Sequence, residues 1–313
     1  MTLGFGSAPI GNLGREVSEQ EWRGALAAAW DAGIRYFDTA PHYGLGLAER
    51  RLGEGLAGRD GFTLSTKVGR LLVPGPGPSE GYAVPPTHHR VRDYSRDGVL
   101  RSLESSLERL GVDRVDIVFV HDPDDHEREA LDGAFPALDE LRSQGVITSY
   151  GAGMNQSEML ARFVRETDLD VLMLAGRYTL LEQGALDDLL PECERRGVSV
   201  VAAGVFNSGL LANERPREGT TYNYEPAPPE LLARVHRIAD VLERHGTTLP
   251  VAAAQFALAH PAVSALCLGA RSAAHVERNA ALLDEPVPDQ AWTELVSEGL
   301  LRPDAPIPAQ APL

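Results

Sequence analysis

Short apolar runs alternate along the chain with longer amphipathic segments. The runs are apolar on both faces, which is typical of parallel strands whose sheet is covered by helices. Nearly every pair of successive runs is separated by one amphipathic segment, which favours repeated strand–helix units. The predicted strands cover residues 3–10, 34–37, 62–66, 115–120, 146–151, 171–174, 198–203 and 262–268.

The segments between these runs carry helix signals. Ser18 with Glu21 forms a capping-box pattern, and Gly33 stops the helix that this pattern opens. Asn155 with Glu158 predicts a second capping box. The predicted helices cover residues 18–33, 47–56, 95–111, 127–144, 185–196, 230–245, 250–260 and 272–283, and residues 290–301 form an appended helix.

Eight strand–helix units without a composition break predict one α/β domain over residues 1–313, a single (β/α)8 TIM barrel. A doubly wound sheet is the alternative, weakened because no Gly-x-Gly-x-x-Gly follows the first strand. The barrel would carry long βα loops and an appended C-terminal helix. Residues 70–94, rich in proline and glycine, predict a lid, a binding loop or a disordered segment without regular structure. Residues 211–229 form a second irregular insertion, and residues 302–313 are expected to be extended.

Four ionisable residues lie at the predicted strand ends. Asp38, Lys67 and His121 end the second, third and fourth strands, and Tyr43 lies five residues beyond Asp38. Because parallel barrel strands all end at one mouth, we expect these side chains to converge there. Any one of them alone is more often a cap, a surface residue or a structural residue, so the argument depends on the set.

The four residues assemble a proton-transfer unit. Lys67 near Tyr43 would favour the phenolate and lower the pKa of the phenol from about 10. Asp38 would keep Lys67 charged and oriented, and His121 would hydrogen-bond the reacting oxygen. The set suits proton transfer to or from a carbonyl or alcohol oxygen.

Charge and cysteine content restrict the partners and the compartment. The formal charge of -16 argues against nucleic acid or an anionic membrane surface as a partner. The two cysteines, Cys193 and Cys267, suggest a reducing compartment. With neither a signal-peptide pattern nor a long apolar run, the chain is predicted to be cytoplasmic. Residues 121–126 hold two histidines among acids, but Pro123 and the strand end favour an acidic loop, and we expect no metal site.

The segment 33–44, Gly-Ile-Arg-Tyr-Phe-Asp-Thr-Ala-Pro-His-Tyr-Gly, resembles the first signature of the aldo-keto reductases. Asp38, Tyr43, Lys67 and His121 match the catalytic tetrad of that family in order and in place, and the resemblance covers nearly the whole chain. It implies a barrel that binds a nicotinamide cofactor across its mouth. Hydride would pass between the nicotinamide and the substrate carbon while Tyr43 moves the proton.

The resemblance also implies residues at the nicotinamide. Asn155 matches the asparagine that holds the carboxamide, but the serine that usually precedes it is Met154 here. Ala175 stands where the family has a glutamine, and Ala203 where it often has a stacking aromatic. Phe206 is a candidate to replace that aromatic.

The remaining cofactor contacts are implied at two later loops. Asn207-Ser208-Gly209-Leu210 resembles the pyrophosphate loop, and residues 269–279 match the segment that holds the adenosine end, where a helix N-terminus meets phosphate. Strict NADP members carry a lysine and an arginine where this chain has Gly269 and His275. Fewer cations favour NAD, or the use of both NAD and NADP. Arg271 could bind a 2′-phosphate or could equally be a surface residue. The residues implied in cofactor binding are Asn155, Ser208, Gly209, Leu210, Gly269, Arg271, His275 and Asn279.

Within the family, several strings resemble the sugar-oxidising branch, the L-fucose and D-threo-aldose 1-dehydrogenases, with pyridoxal 4-dehydrogenase nearby. A pyranose needs polar groups near the tetrad, and His42, Asp122 and Arg177 are the candidates, although each could equally be a structural residue. The strings are residues 3–12, 43–50, 121–124 and 176–181, together with the long insertion at 70–94.

The leading hypothesis is an NAD(P)-dependent aldose 1-dehydrogenase that oxidises the C1 hydroxyl of an L-fucose or D-threo-aldose type sugar to a lactone. One alternative is reduction of aldehydes or ketones, or oxidation of pyridoxal, on the same tetrad. Another is a non-catalytic, nicotinamide-binding regulatory subunit. The expected partner is a small-molecule sugar or aldehyde, and the expected assembly is a monomer or a homodimer.

Overall fold

A closed ring of parallel strands forms the centre of the molecule. The structure is a computed structural model that describes residues 2–223 and 225–308. The strands in this part of the chain are β1 (Thr2–Gly6), β2 (Tyr36–Asp38), β3 (Thr63–Val68), β4 (Arg70–Pro74), β5 (His88–Arg92), β6 (Ile117–His121), β7 (Ser149–Met154), β8 (Val171–Ala175), β9 (Ser199–Ala203), β10 (Thr221–Tyr222), β11 (Glu225–Pro226) and β12 (Val263–Gly269).

Within the described residues, eight of these strands pair in parallel in the order β1-β2-β3-β6-β7-β8-β9-β12, and β12 returns to β1. The closed ring confirms the (β/α)8 barrel. It excludes the doubly wound sheet, because an open sheet leaves two unpaired edges.

Helices cover the outside of the barrel. They are α1 (Glu19–Asp31), α2 (Leu47–Leu56), α3 (Arg96–Leu110), α4 (Glu127–Glu129), α5 (Phe135–Ser143), α6 (Glu158–Glu166), α7 (Leu189–Arg196), α8 (Pro229–Arg244), α9 (Leu249–Leu258), α10 (Ala273–Ala281) and α11 (Asp289–Ser297). Short 3₁₀ turns cover Ala8–Gly11, Gly184–Leu186 and Asn207–Gly209, and a π-helical segment, Ala130–Ala134, joins α4 to α5. None of the helices in the described residues has the length and apolar run needed to cross a membrane.

Several helices and strands begin or end at residues other than those predicted, for identifiable physical reasons. The capping box of Ser18 and Glu21 is confirmed at the start of α1. The prediction that Asn155 caps α6 is wrong, because Ser157 holds the N-cap position and no side chain caps the helix there. The first strand is shorter than predicted, because Pro9 has no N–H for a ladder and lies at the start of a 3₁₀ turn. Strand β3 extends past the predicted end, so Lys67 lies inside the strand.

The segment 70–94 was expected to lack regular structure, and this expectation is wrong. Strands β4 and β5 form an antiparallel hairpin in which Arg70 pairs with Arg92 and Pro74 with His88. Proline is tolerated because Pro74 occupies the last position of the ladder. Beyond the hairpin, Tyr82 forms a bridge with Leu13, so the insertion folds back onto the loop that follows β1.

The second insertion also contains a ladder, since β10 and β11 pair within residues 211–229. In the tail, residues 302–308 contain neither helix nor strand, and the rest of the predicted extended segment, residues 309–313, lies outside the described residues.

Two apolar layers hold the barrel together. One fills its interior and includes Tyr36, Phe119, Met173, Val201 and Cys267. The other, much larger, lies between the strands and the surrounding helices. Inward-facing residues near the strand ends are therefore fixed from below by packed side chains, and these positions carry the candidate site.

Candidate active site

The tetrad predicted from the sequence comes together at the carboxyl end of the barrel. Asp38 ends β2, Lys67 lies near the end of β3 and His121 ends β6, while Tyr43 lies in the turn that precedes α2. Tyr43, Lys67 and His121 line one cavity of about 400 Å³.

Lys67 and Asp38 form a buried ion pair. Lys67 Nζ donates to Asp38 Oδ1 at 2.8 Å and Oδ2 at 2.6 Å, and to the Thr39 carbonyl at 3.0 Å. Ser65 donates to Asp38 Oδ1 at 2.8 Å and lies 3.1 Å from the Tyr36 hydroxyl. Burial raises the pKa of Asp38, and Lys67 opposes that shift. The Thr39 carbonyl and Ser65 orient the pair within the barrel, which fixes the ammonium below Tyr43.

One face of β3 points into the candidate site, and the opposite face contacts the surrounding helices. Lys67 faces the interior, and Thr66, the next residue on the opposite face, donates to Glu49 of α2 at 3.0 Å. Glu49 is fully buried and also accepts from Arg109 of α3 at 2.6 Å. The strand that carries Lys67 is thereby bonded to the helix that follows Tyr43.

Tyr43 is placed by a close approach of two turns. Gly44 has φ +62, and a Cβ there would lie 2.1 Å from the Gly11 carbonyl oxygen, so only glycine fits. Lys67 Nζ lies 4.9 Å from the centre of the Tyr43 ring, and the His121 ring centre lies 6.0 Å away. The phenol thus has an ammonium and an imidazole as neighbours, the arrangement that the sequence predicts.

Both histidines of the cavity are neutral at neutral pH. Burial, reinforced by Arg70, lowers the pKa of His42 to about 3. Burial likewise lowers the pKa of His121 well below its usual range, with Arg70 and Lys67 contributing in the same direction. A neutral imidazole at His121 can hydrogen-bond an oxygen atom in the cavity without adding charge there.

The sequence reasoning missed four side chains that the 70–94 insertion brings to this site. Arg70, Glu80 and Tyr82 line the cavity with the tetrad, and the Tyr82 ring stacks on Tyr43 at 6.4 Å. Arg90 donates to the His42 carbonyl at 3.0 Å. The signal was present, since arginines and tyrosines stand out in a proline- and glycine-rich segment, but the placement of their side chains depends on the hairpin.

A second cleft continues from the first. Its volume is about 480 Å³, and Asn155, Ala175, Ala8 and Leu13 line both. Six of the residues implied in cofactor binding line this cleft, and Phe206 lines it as well. The six are Asn155, Ser208, Gly209, Gly269, Arg271 and His275.

Three predicted site residues lie elsewhere. Leu210 is fully buried and lines neither cleft, so its side chain belongs to the core. Asn279 lines a separate small cavity and donates to the Gly269 carbonyl at 3.4 Å, which supports that loop from behind. Arg177 lines the second cleft, away from the tetrad, because its Nε donates to the Asn155 carbonyl at 2.7 Å.

The donor set and shape of the second cleft fit a dinucleotide. Gly269 permits the wall to approach the β1 loop, since a Cβ there would lie 2.9 Å from Pro9 Cγ. The loop residues Asn207 and Ser208 hold left-handed backbone conformations, and Asn207 Oδ1 is buried without a partner among the described residues. Arg271, which also lines the cleft, adjoins Ser272, the N-cap of α10. A cleft lined by a cation next to a helix N-terminus suits an anionic cofactor.

Comparisons with known proteins agree with this geometry. The model of the Aldo/keto reductase family matches residues 2–298. A D-threo-aldose 1-dehydrogenase from Pseudomonas sp is 46% identical over 309 residues, which cover 96% of this chain and 94% of the relative. A pyridoxal 4-dehydrogenase from Microbacterium luteolum is 40% identical, with 96% of this chain and 94% of the relative covered.

A solved structure has the same fold. The holo form of aldo-keto reductase AKR11C1 from Bacillus halodurans superposes with a TM-score of 0.73 at 25% identity, covering 98% of this chain and 94% of that one. The family match spans almost all of the described barrel and includes the four residues at its mouth. The chain is therefore an oxidoreductase enzyme of the aldo/keto reductase family, whose members use NAD(P)H.

Proposed function

We propose that this enzyme oxidises the C1 hydroxyl of an aldose, of the L-fucose or D-threo-aldose type, to a lactone. The observation that carries the proposal is the charge balance at the tetrad cavity. Three cations that line or adjoin the cavity each contact a carboxylate, which suits a neutral, polyhydroxylated substrate better than an anion. The cations are Lys67, Arg70 and Arg90, and the carboxylates that contact them are Asp38, Asp122 and Glu80.

Tyr43 is the proposed base. In oxidation, the proton of the C1 hydroxyl passes to the Tyr43 phenolate, which Lys67 favours through its charge. His121 holds the same oxygen by a hydrogen bond, and Asp38 keeps Lys67 in place. A nicotinamide bound beside the tetrad would supply the acceptor for the hydride that leaves C1. The lactone carbonyl then forms as the C1–H and O–H bonds break.

The second cleft is the proposed cofactor site. Asn155 lies where the two clefts meet and would hold the nicotinamide end. Ser208 and Gly209 would face the pyrophosphate, and Arg271 would face the adenosine end. Burial lowers the pKa of His275, and the nearby Arg271 adds to this effect. With His275 neutral and Gly269 uncharged, Arg271 is left as the cation of this segment that could meet a 2′-phosphate. Because strict NADP members carry a further lysine and arginine here, we propose that NAD is preferred over NADP.

Oxidation of pyridoxal on the same tetrad is the second candidate. It is favoured by the 40% identity to a pyridoxal 4-dehydrogenase and by Tyr82, whose aromatic ring lines the cavity. A planar heteroaromatic ring can stack on such a surface. The hypothesis of a non-catalytic subunit is set aside, because the chain belongs to an enzyme family and holds the complete tetrad.

The test is an initial-rate screen followed at the nicotinamide absorbance band. L-fucose, D-arabinose, pyridoxal and an unsubstituted aldehyde are each assayed with NAD(H) and NADP(H). We expect the highest kcat/KM for a sugar. No turnover on either sugar refutes the proposed substrate class, and turnover on pyridoxal alone selects the second candidate.

The Tyr43→Phe variant tests the mechanism. Loss of the proton carrier should lower kcat by about 10²- to 10⁴-fold, the usual contribution of general acid–base catalysis. Cofactor affinity, measured by fluorescence titration, should stay close to that of the parent. Near-normal turnover in this variant contradicts the role given to Tyr43.

A further inference from the structure

Arg70 connects two polar side chains beside the tetrad. Its NH2 group donates to Asp122 Oδ2 at 2.5 Å, and its NH1 group donates to His42 Nδ1 at 3.2 Å. The Arg70 side chain is only 11% exposed, and its Nε is buried without a partner among the described residues. A buried guanidinium that contacts both of these cavity residues can fix the orientation of each.

The backbone around Arg70 is strained in two places. Asp122 has φ +42 and Glu80 has φ +49, conformations that residues other than glycine rarely adopt. Both carboxylates face Arg70, with Glu80 Oε2 3.9 Å from NH1. Tyr94 stabilises the turn at Asp122, because its hydroxyl donates to the Asp122 carbonyl at 2.9 Å. Strain held in place by surrounding contacts is typical of functional sites.

The bond from Arg70 also determines the tautomer of His42. A guanidinium can only donate, so His42 Nδ1 must accept, and the ring proton of the neutral imidazole is on Nε2. Glu80 lies 3.5 Å from the same Nδ1 and would favour a proton there, but the Arg70 contact is shorter and has hydrogen-bond geometry. His42 therefore carries a donor at Nε2.

Two polar atoms of residues in the cavity wall are available to bind a substrate. Within the described residues, neither His42 Nε2 nor Asp122 Oδ1 makes a hydrogen bond, and both residues line the tetrad cavity. His42 lies 5.6 Å from His121 between ring centres, and Asp122 Oδ2 lies 3.5 Å from His121 Nε2. One donor and one acceptor thus flank the histidine that faces the reacting oxygen.

We propose that His42 and Asp122 form a subsite for the C2 and C3 hydroxyl groups of a neutral sugar, with Arg70 as its positioning residue. The inference rests on the proposed sugar oxidation. A sugar hydroxyl both donates and accepts, so one hydroxyl donates to Asp122 Oδ1 while another accepts from His42 Nε2. Burial raises the pKa of Asp122 and Arg70 opposes that shift, while the bond from Arg70 keeps the proton of His42 on Nε2.

The experiment compares L-fucose with its 2-deoxy and 3-deoxy forms. In the parent, removal of a recognised hydroxyl should lower kcat/KM by about 10- to 100-fold, as expected for one lost hydrogen bond to a charged or buried polar group. In Arg70→Met this discrimination should fall to within about threefold, chiefly through a higher KM for L-fucose, because the subsite is no longer ordered. Arg70→Lys should restore part of it, since an ammonium keeps the charge without bonding both partners at once.

Arg92→Met is the matched control. Arg92 lies on the same hairpin, and its 42% exposed side chain forms an ion pair with Asp125 at 3.8 Å. This variant should discriminate between the three sugars as the parent does. Circular dichroism and cofactor titration verify that each variant is folded.

The outcomes separate the subsite from the proposed function. If Arg70→Met lowers kcat/KM for L-fucose and both deoxy sugars by the same factor, the positioning role is overturned while sugar oxidation stands. Equal rates of the parent on all three sugars overturn the subsite itself. If the parent oxidises none of them yet reduces an aldehyde, both the sugar proposal and the subsite fall.

Discussion

The buried pair of Lys67 and Asp38 allows a sharp test of the electrostatics of the site. The perturbations are Lys67→Met, Asp38→Leu and the double variant. The two side chains are 2% and 3% exposed and lie 2.6 Å apart, so either single change leaves a buried charge without its partner. The double variant leaves neither charge.

The size of the effect follows from the cost of discharging the remaining group. In Lys67→Met, Asp38 can escape by taking up a proton, which at pH 7 costs about 4 kcal/mol for a carboxyl with an ordinary pKa near 3.9. In Asp38→Leu, a buried ammonium can lose its proton at a similar cost of about 4.5 kcal/mol, given an ordinary lysine pKa near 10.4. Both values fall within the range of about 3–5 kcal/mol for breaking a buried pair. The double variant should lie within about 2 kcal/mol of the parent.

The two single variants should respond to pH in opposite directions. Without Lys67, the pKa of Asp38 in the folded state lies still further above its value in the unfolded state. The deficit therefore shrinks as the pH falls from 7 towards 4, by about 1.4 kcal/mol per unit. In Asp38→Leu the deficit shrinks as the pH rises, because the buried ammonium is discharged more easily. The sign of the change in this stability deficit with pH therefore identifies which buried charge remains in each single variant.

The assay is guanidinium unfolding of the apo-enzyme, followed by circular dichroism at several pH values. If the double variant loses as much stability as the two single variants added together, the pair is not coupled and the reasoning fails. Parallel slopes for the two single variants would also refute it. Turnover is expected to be lost in all three variants, so the coupling between Lys67 and Asp38 is tested by the free energy of unfolding alone.

Two further predictions concern the neighbouring histidine and the cofactor. Because the folded His42 has a pKa of about 3 and an unfolded histidine about 6.5, the free energy of unfolding should decrease as the pH falls below 6.5. His42→Gln should reduce that slope by up to about 1.4 kcal/mol per pH unit between pH 6.5 and 5, and an unchanged slope contradicts the neutral state of His42. Arg271→Ala should lower kcat/KM with NADP about tenfold more than with NAD, since a charge-assisted bond to the 2′-phosphate is lost; an equal loss with both cofactors places Arg271 away from that phosphate.

The barrel could be predicted from the sequence because its signals are local. Each βα unit has a run that is apolar on both faces, followed by a segment with helical periodicity, and neither depends on distant residues. The predicted ends of elements differ from the structure where a single residue determines the end. Pro9 lacks the N–H that would continue β1, and Asn155 stands two residues before the actual N-cap at Ser157.

The tetrad could be predicted for a related reason. Asp38, Lys67 and His121 lie on parallel strands that share a mouth, so the fold class alone brings them together. Tyr43 follows because its turn is short. The fold class does not give the direction of a side chain beyond the strands, which is why Arg177, chosen for its polarity, lies at the second cleft and bonds the Asn155 carbonyl.

The hairpin within residues 70–94 forms through pairing between distant residues, which the preferences of single residues do not predict. Pro74 and the glycines around it argue against a strand at each position separately, yet the ladder forms because the pairing of Arg70 with Arg92 aligns eight further residues. Once it forms, Arg70 is held beside Asp122, fifty-two residues away in the chain. Three tetrad residues lie on the barrel strands and Tyr43 lies in a short turn beside them, whereas Arg70 belongs to an insertion. We infer that substrate preference can change through the insertion while the proposed proton-transfer unit stays fixed.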